Sequence, residues 1–292
     1  MRRVSKTAKE NQNQKGIQDL QQNDLNLTQT QQMQVNHLCN ELEKEEAGKT
    51  MIKEVHLTLQ GKGGVGKSFV SNLLAQYLQS INEPVIAIDT DPVNATLYGF
   101  KAFDTQRLEI LEDGEIRPRV FDSLIEQIVE EDSHFVIDNG ASSFVPLSYY
   151  LVENDIVNLI NENGKRTVVH TVVTGGQAFA DTLNGLNALL QSLPDDTKII
   201  VWLNEFFGEV KSEGKEFTQM RIYQENKDRI AGIIYLQRRT SDTFGEDINI
   251  MQDKRITFDE AIASPEFSIV AKSRIKKVKK EIFDQLSEVI GE

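Results

Sequence analysis

The chain has 292 residues, 45 acidic against 32 basic side chains, a formal net charge of −13 and one cysteine, Cys39. That length suits one large or two small domains, and the charge argues against a whole surface that coats nucleic acid or anionic membrane. A lone cysteine excludes an intramolecular disulfide or thiolate metal site, while the lack of a long apolar run or signal-like start predicts a cytoplasmic protein without a transmembrane segment.

Residues 1–50 are rich in Gln, Asn and Lys, with few large apolar side chains before Met33. They predict a disordered extension, because little apolar burial is on offer to offset the entropy of ordering. Met33, Val35, Leu38 and Leu42 fall near helical spacing, enough for a marginal helix. Residues 51–292 read as one folded domain.

Val55–Leu59 alternates apolar and polar residues and leads into Gly61-Lys62-Gly63-Gly64-Val65-Gly66-Lys67-Ser68. Every fixed position of the phosphate-loop pattern G-x-x-x-x-G-K-[ST] is present. Glycines let backbone amides close on an anion, Lys67 supplies charge for the β- and γ-phosphates, and the Ser68 hydroxyl suits Mg²⁺. A helix follows over roughly 67–79, its positive dipole end at the same place. With Phe69 beside it, the loop makes up the predicted nucleotide-binding set. Lys62 is a second lysine just after the first glycine, where the general pattern asks for nothing in particular.

Val85–Ile88 is a short apolar run of the kind buried on both faces of a parallel sheet. It ends in Asp89-Thr90-Asp91-Pro92, two carboxylates at a strand's carboxyl end, where open α/β sheets bind ligand. A hairpin is predicted over 107–117 around Glu112-Asp113-Gly114, then a helix through Phe121, Leu124, Ile125, Ile128 and Val129. The strand His134–Ile137 ends in Asp138-Asn139-Gly140, the Walker B position, where Asp138 is the candidate Mg²⁺ carboxylate. Gly140–Tyr150 is the expected second switch.

Strands at 167–173 and 198–203 flank a helix over about 177–193, introduced by Thr174-Gly175-Gly176. Asn204 closes the later strand. The polar loop 208–215 is expected to reach a partner or a dimer interface; a helix near 217–228 and a last strand, 230–236, follow. The four histidines, at 37, 56, 134 and 170, have no ligand spacing and read as ordinary strand or surface residues. In the C-terminal helix Ala271, Ile275, Val278, Ile282, Leu286 and Val289 line one side. Lys272, Lys276, Lys277, Lys279 and Lys280 lie mostly opposite, with Arg274 near the edge, which suggests weak, nonspecific DNA binding, an anionic-lipid patch or simply a solvated face.

The form K-G-G-x-G-K-S, the D-x-D-P…N-A-T stretch and the strand-end Asp resemble the deviant Walker A ATPases of the ParA/MinD superfamily. Within it LQGKGGVGKSFVSNLLAQYL, AIDTDPVNAT, VIDNGASSFVPLSYYL, HTVVTGGQAFADTLNG and VWLN look most like the TraL-type proteins of plasmid conjugal transfer. The resemblance implies a doubly wound, mostly parallel α/β sheet binding ATP and Mg²⁺, and a homodimer in the ATP state. It implies that Lys62 reaches the partner's phosphates, Asp91 positions the attacking water, Asp89 supports the metal shell and Asn204 contacts adenine. It also implies a conjugation or plasmid-maintenance protein as partner. Two departures stand out: Asp138-Asn139-Gly140 where partition ATPases have D-x-P, and Leu236-Gln237 where they often carry Ile-Pro. A partition ATPase, a small-molecule kinase or ligase and a weakly catalytic nucleotide-dependent adaptor are the alternatives.

Overall fold

Seven parallel strands form the centre of the computed structural model, which describes residues 51–112 and 115–290. In chain order the strands are β1 (Glu54–Thr58), β2 (Val85–Asp89), β3 (Gln106–Arg107), β4 (Leu111–Glu112), β5 (Glu115–Ile116), β6 (His134–Asp138), β7 (Arg166–Thr174), β8 (Lys198–Asn204), β9 (Lys211–Ser212), β10 (Lys215–Glu216) and β11 (Ile230–Leu236). The main sheet runs β11-β8-β7-β1-β6-β2-β3, with every pair parallel. Helices α1 (Lys67–Ser80), α2 (Val120–Glu130), α3 (Phe144–Glu153), α4 (Ile156–Glu162), α5 (Phe179–Ser192), α6 (Arg221–Asn226), α7 (Glu246–Lys254), α8 (Phe258–Ala263) and α9 (Ile269–Val289) connect and cover the strands. The described residues from Ile52 on belong to one compact unit.

Alternation along the strands divides the core in two. Val55, Leu57, Phe135, Ile137, Val169 and Val201 pack under α2, α3, α4 and α5, while Val136, Val168, Val172, Ile200 and Trp202 pack under α1, α8 and α9. Both faces are buried, so the strands are nearly continuous apolar runs, as a parallel sheet requires. The doubly wound α/β fold expected from the sequence is the one formed.

Several elements differ from expectation. Gln106–Arg107 joins the main sheet beside β2, and only Leu111–Glu112 and Glu115–Ile116 form the short hairpin. Its turn, Asp113-Gly114, lies outside the described residues, as do the N-terminal extension and its marginal helix. Loop 208–215 folds into the small antiparallel pair β9–β10, and the helix expected over 217–228 is split at Met220 into a 3₁₀ turn and α6. No helix among the described residues is long and apolar enough to cross a membrane.

Gly185 of α5 leaves room for a buried side chain: a Cβ there would strike the buried Gln60 carboxamide, whose Nε2 donates to Val172 O at 2.9 Å and Thr182 O at 3.0 Å. Alanine normally gains about 1 kcal/mol over glycine inside a helix. Here the clash and the lost hydrogen bonds dominate, so Gly185→Ala is expected to cost about 2 kcal/mol or more. Urea unfolding measures it, and a gain in stability would show that α5 can move off the sheet.

Candidate functional site

β6 lies between β1 and β2, and its last residue is level with theirs: Asp138 pairs in register with Thr58 on one side and Asp89 on the other. The phosphate loop leaves β1, the Asp89–Asp91 loop leaves β2 and the Walker B turn leaves β6 on the same edge. Three segments far apart in sequence therefore meet at the carboxyl ends of adjacent strands.

Gly64 (φ 74°) and Gly66 (φ 105°) adopt left-handed backbone that side chains disfavour, and Gly66 caps α1. Lys67 is 7% exposed and folds back over the loop, donating from Nζ to Lys62 O at 3.1 Å. Burial lowers its pKa, and the nearby charges of Asp138 and then Asp91 oppose that shift. Lys62 is half exposed, and its Nζ lies 2.8 Å from Asp181 Oδ2 in the first turn of α5.

Asp138 is completely buried. Burial pushes its carboxyl up to about 7, against the neighbouring Ser68 and Ser71 hydroxyls and the charge of Lys67. Ser71 Oγ lies 3.0 Å from Asp138 Oδ1, while Oδ2 has no protein partner. An unsatisfied buried carboxylate oxygen beside the Ser68 hydroxyl fits a hydrated divalent cation. Ser71 was not singled out from the sequence; its position three residues after Ser68, on the same face of α1, is the signal that could have found it.

The two carboxylates after β2 have different settings. Asp89 is fully buried, and both oxygens accept backbone N–H groups: Oδ1 from Asp91 and Oδ2 from Tyr98, each at 2.9 Å. Burial raises its pKa and these amides oppose the rise. Its geometry is that of a loop anchor, with less to offer a metal than Asp138. Asp91 is half exposed, with Oδ1 accepting from Val93 N at 2.9 Å and Asn94 N at 3.3 Å.

Beside the loop lies a cavity of about 700 Å³, bordered by Gly64–Gly66, Phe69, Asn204, Phe206, Phe207, Tyr235, Leu236 and Gln237. This is within the usual range for small-molecule pockets. Asn204 reaches the phosphate loop itself: Nδ2 donates to Val65 O at 2.9 Å, and Oδ1 accepts from Phe206 N at 3.1 Å. Phe206 and Phe207, both half exposed and edge to face, were not anticipated. Their loop is seated by backbone contact, since a Cβ on Gly175 would strike Gly208 O and one on Gly176 would stand 2.8 Å from Phe207 O. That contact, together with the left-handed φ of 72° at Gly176, explains the glycine pair after β7.

Residues 57–250 match the family described as the CobQ/CobB/MinD/ParA nucleotide binding domain. The chain belongs to this family. Two relatives, each named Protein TraL and from Escherichia coli, are 45% identical over 233 residues, which cover 80% of this chain and 97% of theirs. Among solved structures, the MinD cell division protein of Aquifex aeolicus is 16% identical, with a TM-score of 0.45 over 79% of this chain and 97% of that one. A plasmid partition protein of Borrelia burgdorferi B31 bound to AMPPNP is 17% identical, with a TM-score of 0.45 over 82% of this chain and all of that one. The described domain is thus a nucleotide-binding domain of the CobQ/CobB/MinD/ParA family.

One surface expectation changes in this family member. On α9, Arg274 pairs with Asp247 at 2.6 Å, Lys279 with Asp259 at 2.6 Å, Lys280 with Asp284 at 2.5 Å, and Lys277 lies 3.9 Å from Glu281. Acidic neighbours thus answer much of the basic face, which weakens the case for DNA binding there. His56, His134 and His170 are strand residues, as expected, but they converge: all three are buried, and ligand atoms of Glu54, His56 and His134 lie within 4.8 Å of one another. Tautomers argue against a metal. Trp202 Nε1 can only donate, so His170 Nδ1 accepts (3.0 Å), His170 Nε2 carries the proton toward His56 Nδ1 (3.0 Å), and His56 Nε2 is left as an N–H. His134 Nδ1 accepts from Glu54 N at 3.1 Å, so its Nε2 is also an N–H. Both rings present protons where a cation needs lone pairs. His37 lies outside the described residues.

Proposed function

We propose that the protein is a Mg²⁺-dependent ATPase in which ATP holds a homodimer together and hydrolysis releases it, acting in the cytoplasm in plasmid conjugal transfer. The observation that carries the chemistry is the buried Asp138 carboxylate, with Oδ2 unsatisfied, beside Ser68 and Lys67 under a complete phosphate loop. The role in transfer is supported by 45% identity to proteins named TraL. Residues 51–292 would be the ATPase domain and 1–50 a separate extension.

In this reading the loop amides from Gly61 to Ser68 bind the phosphates, and Lys67 swings from Lys62 O onto the transferring group. Bound Mg²⁺ would neutralise charge on the β- and γ-phosphate oxygens. Ser68 would hold it directly and Asp138 through water, while Asp89 braces the adjoining loop. Asp91 orients the attacking water; catalysis then comes from position and charge neutralisation, which predicts slow basal turnover. Phe69, Asn204, Phe206 and Tyr235 surround the base. Lys62 exchanges Asp181 for the partner's phosphates.

The test is hydrolysis with and without DNA, together with size in Mg²⁺ with ATP or ADP. Asp91→Ala is expected to slow hydrolysis by about 10²-fold and accumulate an ATP-bound dimer. Lys62→Ala is expected to lose both dimer and turnover. An Asp91→Ala protein that stays monomeric in ATP, together with normal hydrolysis by Lys62→Ala, would rule the switch out. Stimulation by DNA would instead favour a partition ATPase, and nucleotide binding without turnover a nucleotide-dependent adaptor.

A further inference from the structure

The Asp89–Asp91 loop and the Walker B turn are fastened to each other. Thr90, fully buried, donates its backbone N–H to Asp138 O at 2.9 Å. Its hydroxyl lies 2.7 Å from Asn139 Oδ1 and 3.0 Å from Asp138 O. Asn139 is 1% exposed, with its amide nitrogen facing Thr58 O and Ile137 O, both at 3.4 Å, so its oxygen is the end turned to Thr90. The next residue, Gly140, lies under Asp91: a Cβ there would stand 2.7 Å from Asp91 Oδ1 and 3.2 Å from Asp91 Cα. No positive φ demands glycine at 140; the demand is space. Gly140 O in turn accepts from Ser143 Oγ at 2.9 Å, just before α3.

We infer that Thr90, Asn139 and Gly140 form a clasp that positions Asp91 and makes the two loops move as one body. The inference rests on the hydrolysis reading above and deepens it. It gives a physical account of Asp138-Asn139-Gly140: asparagine supplies an acceptor that can reach the Thr90 hydroxyl, and glycine alone leaves room for Asp91 at its observed distance. A change at Asp138 is then transmitted to Asp91 through one buried hydroxyl and one close backbone approach, without a large rearrangement. The three are positioning residues; Asp91 is the group they place.

Thr90→Val keeps the shape and the backbone bond but removes the hydroxyl, whereas Thr90→Ser keeps the hydroxyl. The clasp predicts a kcat about tenfold lower for Thr90→Val with KM for ATP within about twofold, and near-normal turnover for Thr90→Ser, since small misplacements of a reacting group carry such penalties. Gly140→Ala is expected to slow turnover toward the level of Asp91→Ala, and to add little when combined with it, because both act on one group. Hydrogen exchange in the nucleotide-free full-length protein gives a second readout: amides over 89–98 should exchange faster in Thr90→Val and Gly140→Ala but not in Thr90→Ser. Unchanged kcat and exchange in Thr90→Val would overturn the clasp, as would identical behaviour of the Val and Ser variants. A wild-type protein that hydrolyses no ATP would defeat the hydrolysis reading alone, because exchange at 89–98 still decides whether the loops are clasped.

Discussion

Asp138→Asn is expected to make the protein more stable and less active at once. Burial has pushed this carboxyl up to about 7 with Oδ2 left unsatisfied, so at pH 8 the folded nucleotide-free protein bears an ionised group that prefers the unfolded chain. Each pH unit between the ordinary carboxylate value and the folded one corresponds to about 1.4 kcal/mol. The sign follows from the raised pKa: the group's contribution to stability is full below about pH 4 and is lost as pH rises through about 7. Asparagine retains the acceptor for Ser71 and removes the charge, so a gain of about 2 kcal/mol or more is expected at pH 8 and little at pH 4. The same change removes the anion proposed to bind hydrated Mg²⁺, and Mg²⁺-dependent hydrolysis should fall by about 10²-fold or more. Thermal unfolding at the two pH values and a phosphate-release assay measure both effects. A less stable Asp138→Asn protein at pH 8 would mean that the ionised carboxylate is satisfied in solution, and wild-type turnover would remove Asp138 from the metal site.

Acid should unfold the domain before most carboxylates are protonated. Burial lowers His134 to about 4 and His170 to about 3, and burial together with the adjacent His170 and His134 holds His56 well below the usual imidazole value. All three titrate near 6.5 when unfolded. Between pH 6.5 and 4 the unfolded chain therefore binds protons that the folded chain refuses, and stability falls as pH falls. Each histidine contributes up to about 1.4 kcal/mol per pH unit, and the raised Asp138 and Asp89 offset part of this, leaving a net fall in stability as pH falls through about 5. His134→Asn offers an oxygen in place of Nδ1 to accept from Glu54 N, without a titrating group. Urea unfolding at a series of pH values should show a slope about 1.4 kcal/mol per unit shallower in that variant than in the wild type. Equal slopes would show that His134 is solvated or protonated in the folded protein.

The phosphate loop was fully legible in the sequence because its chemistry depends on contiguous backbone: Gly64 and Gly66 must take left-handed φ, and Lys67 and Ser68 must follow them. Asp138 was legible because a strand-ending carboxylate after an apolar run has few other reasons to be there. Asp89 and Asp91 looked alike as letters. Only the positions of the Asp91 and Tyr98 amides separate an anchor with both oxygens used from a carboxylate that still faces solvent. The convergence of the histidines was hidden for a similar reason, since residues 56, 134 and 170 share no spacing and meet only because β1, β6 and β7 are neighbours in register. The basic face of α9 looked like a charge run because its partners Asp247 and Asp259 come from other helices.

By itself the sequence determined the doubly wound fold and the nucleotide loop, because apolar periodicity and glycine backbone freedom act between near neighbours along the chain. The tertiary structure alone decided which carboxylate is left unsatisfied, what Asn204 ties down and why glycine follows Asn139. Each of these depends on hydrogen bonds or close approaches between segments many residues apart, and a polar group's role in a dry interior is set by the partners that reach it.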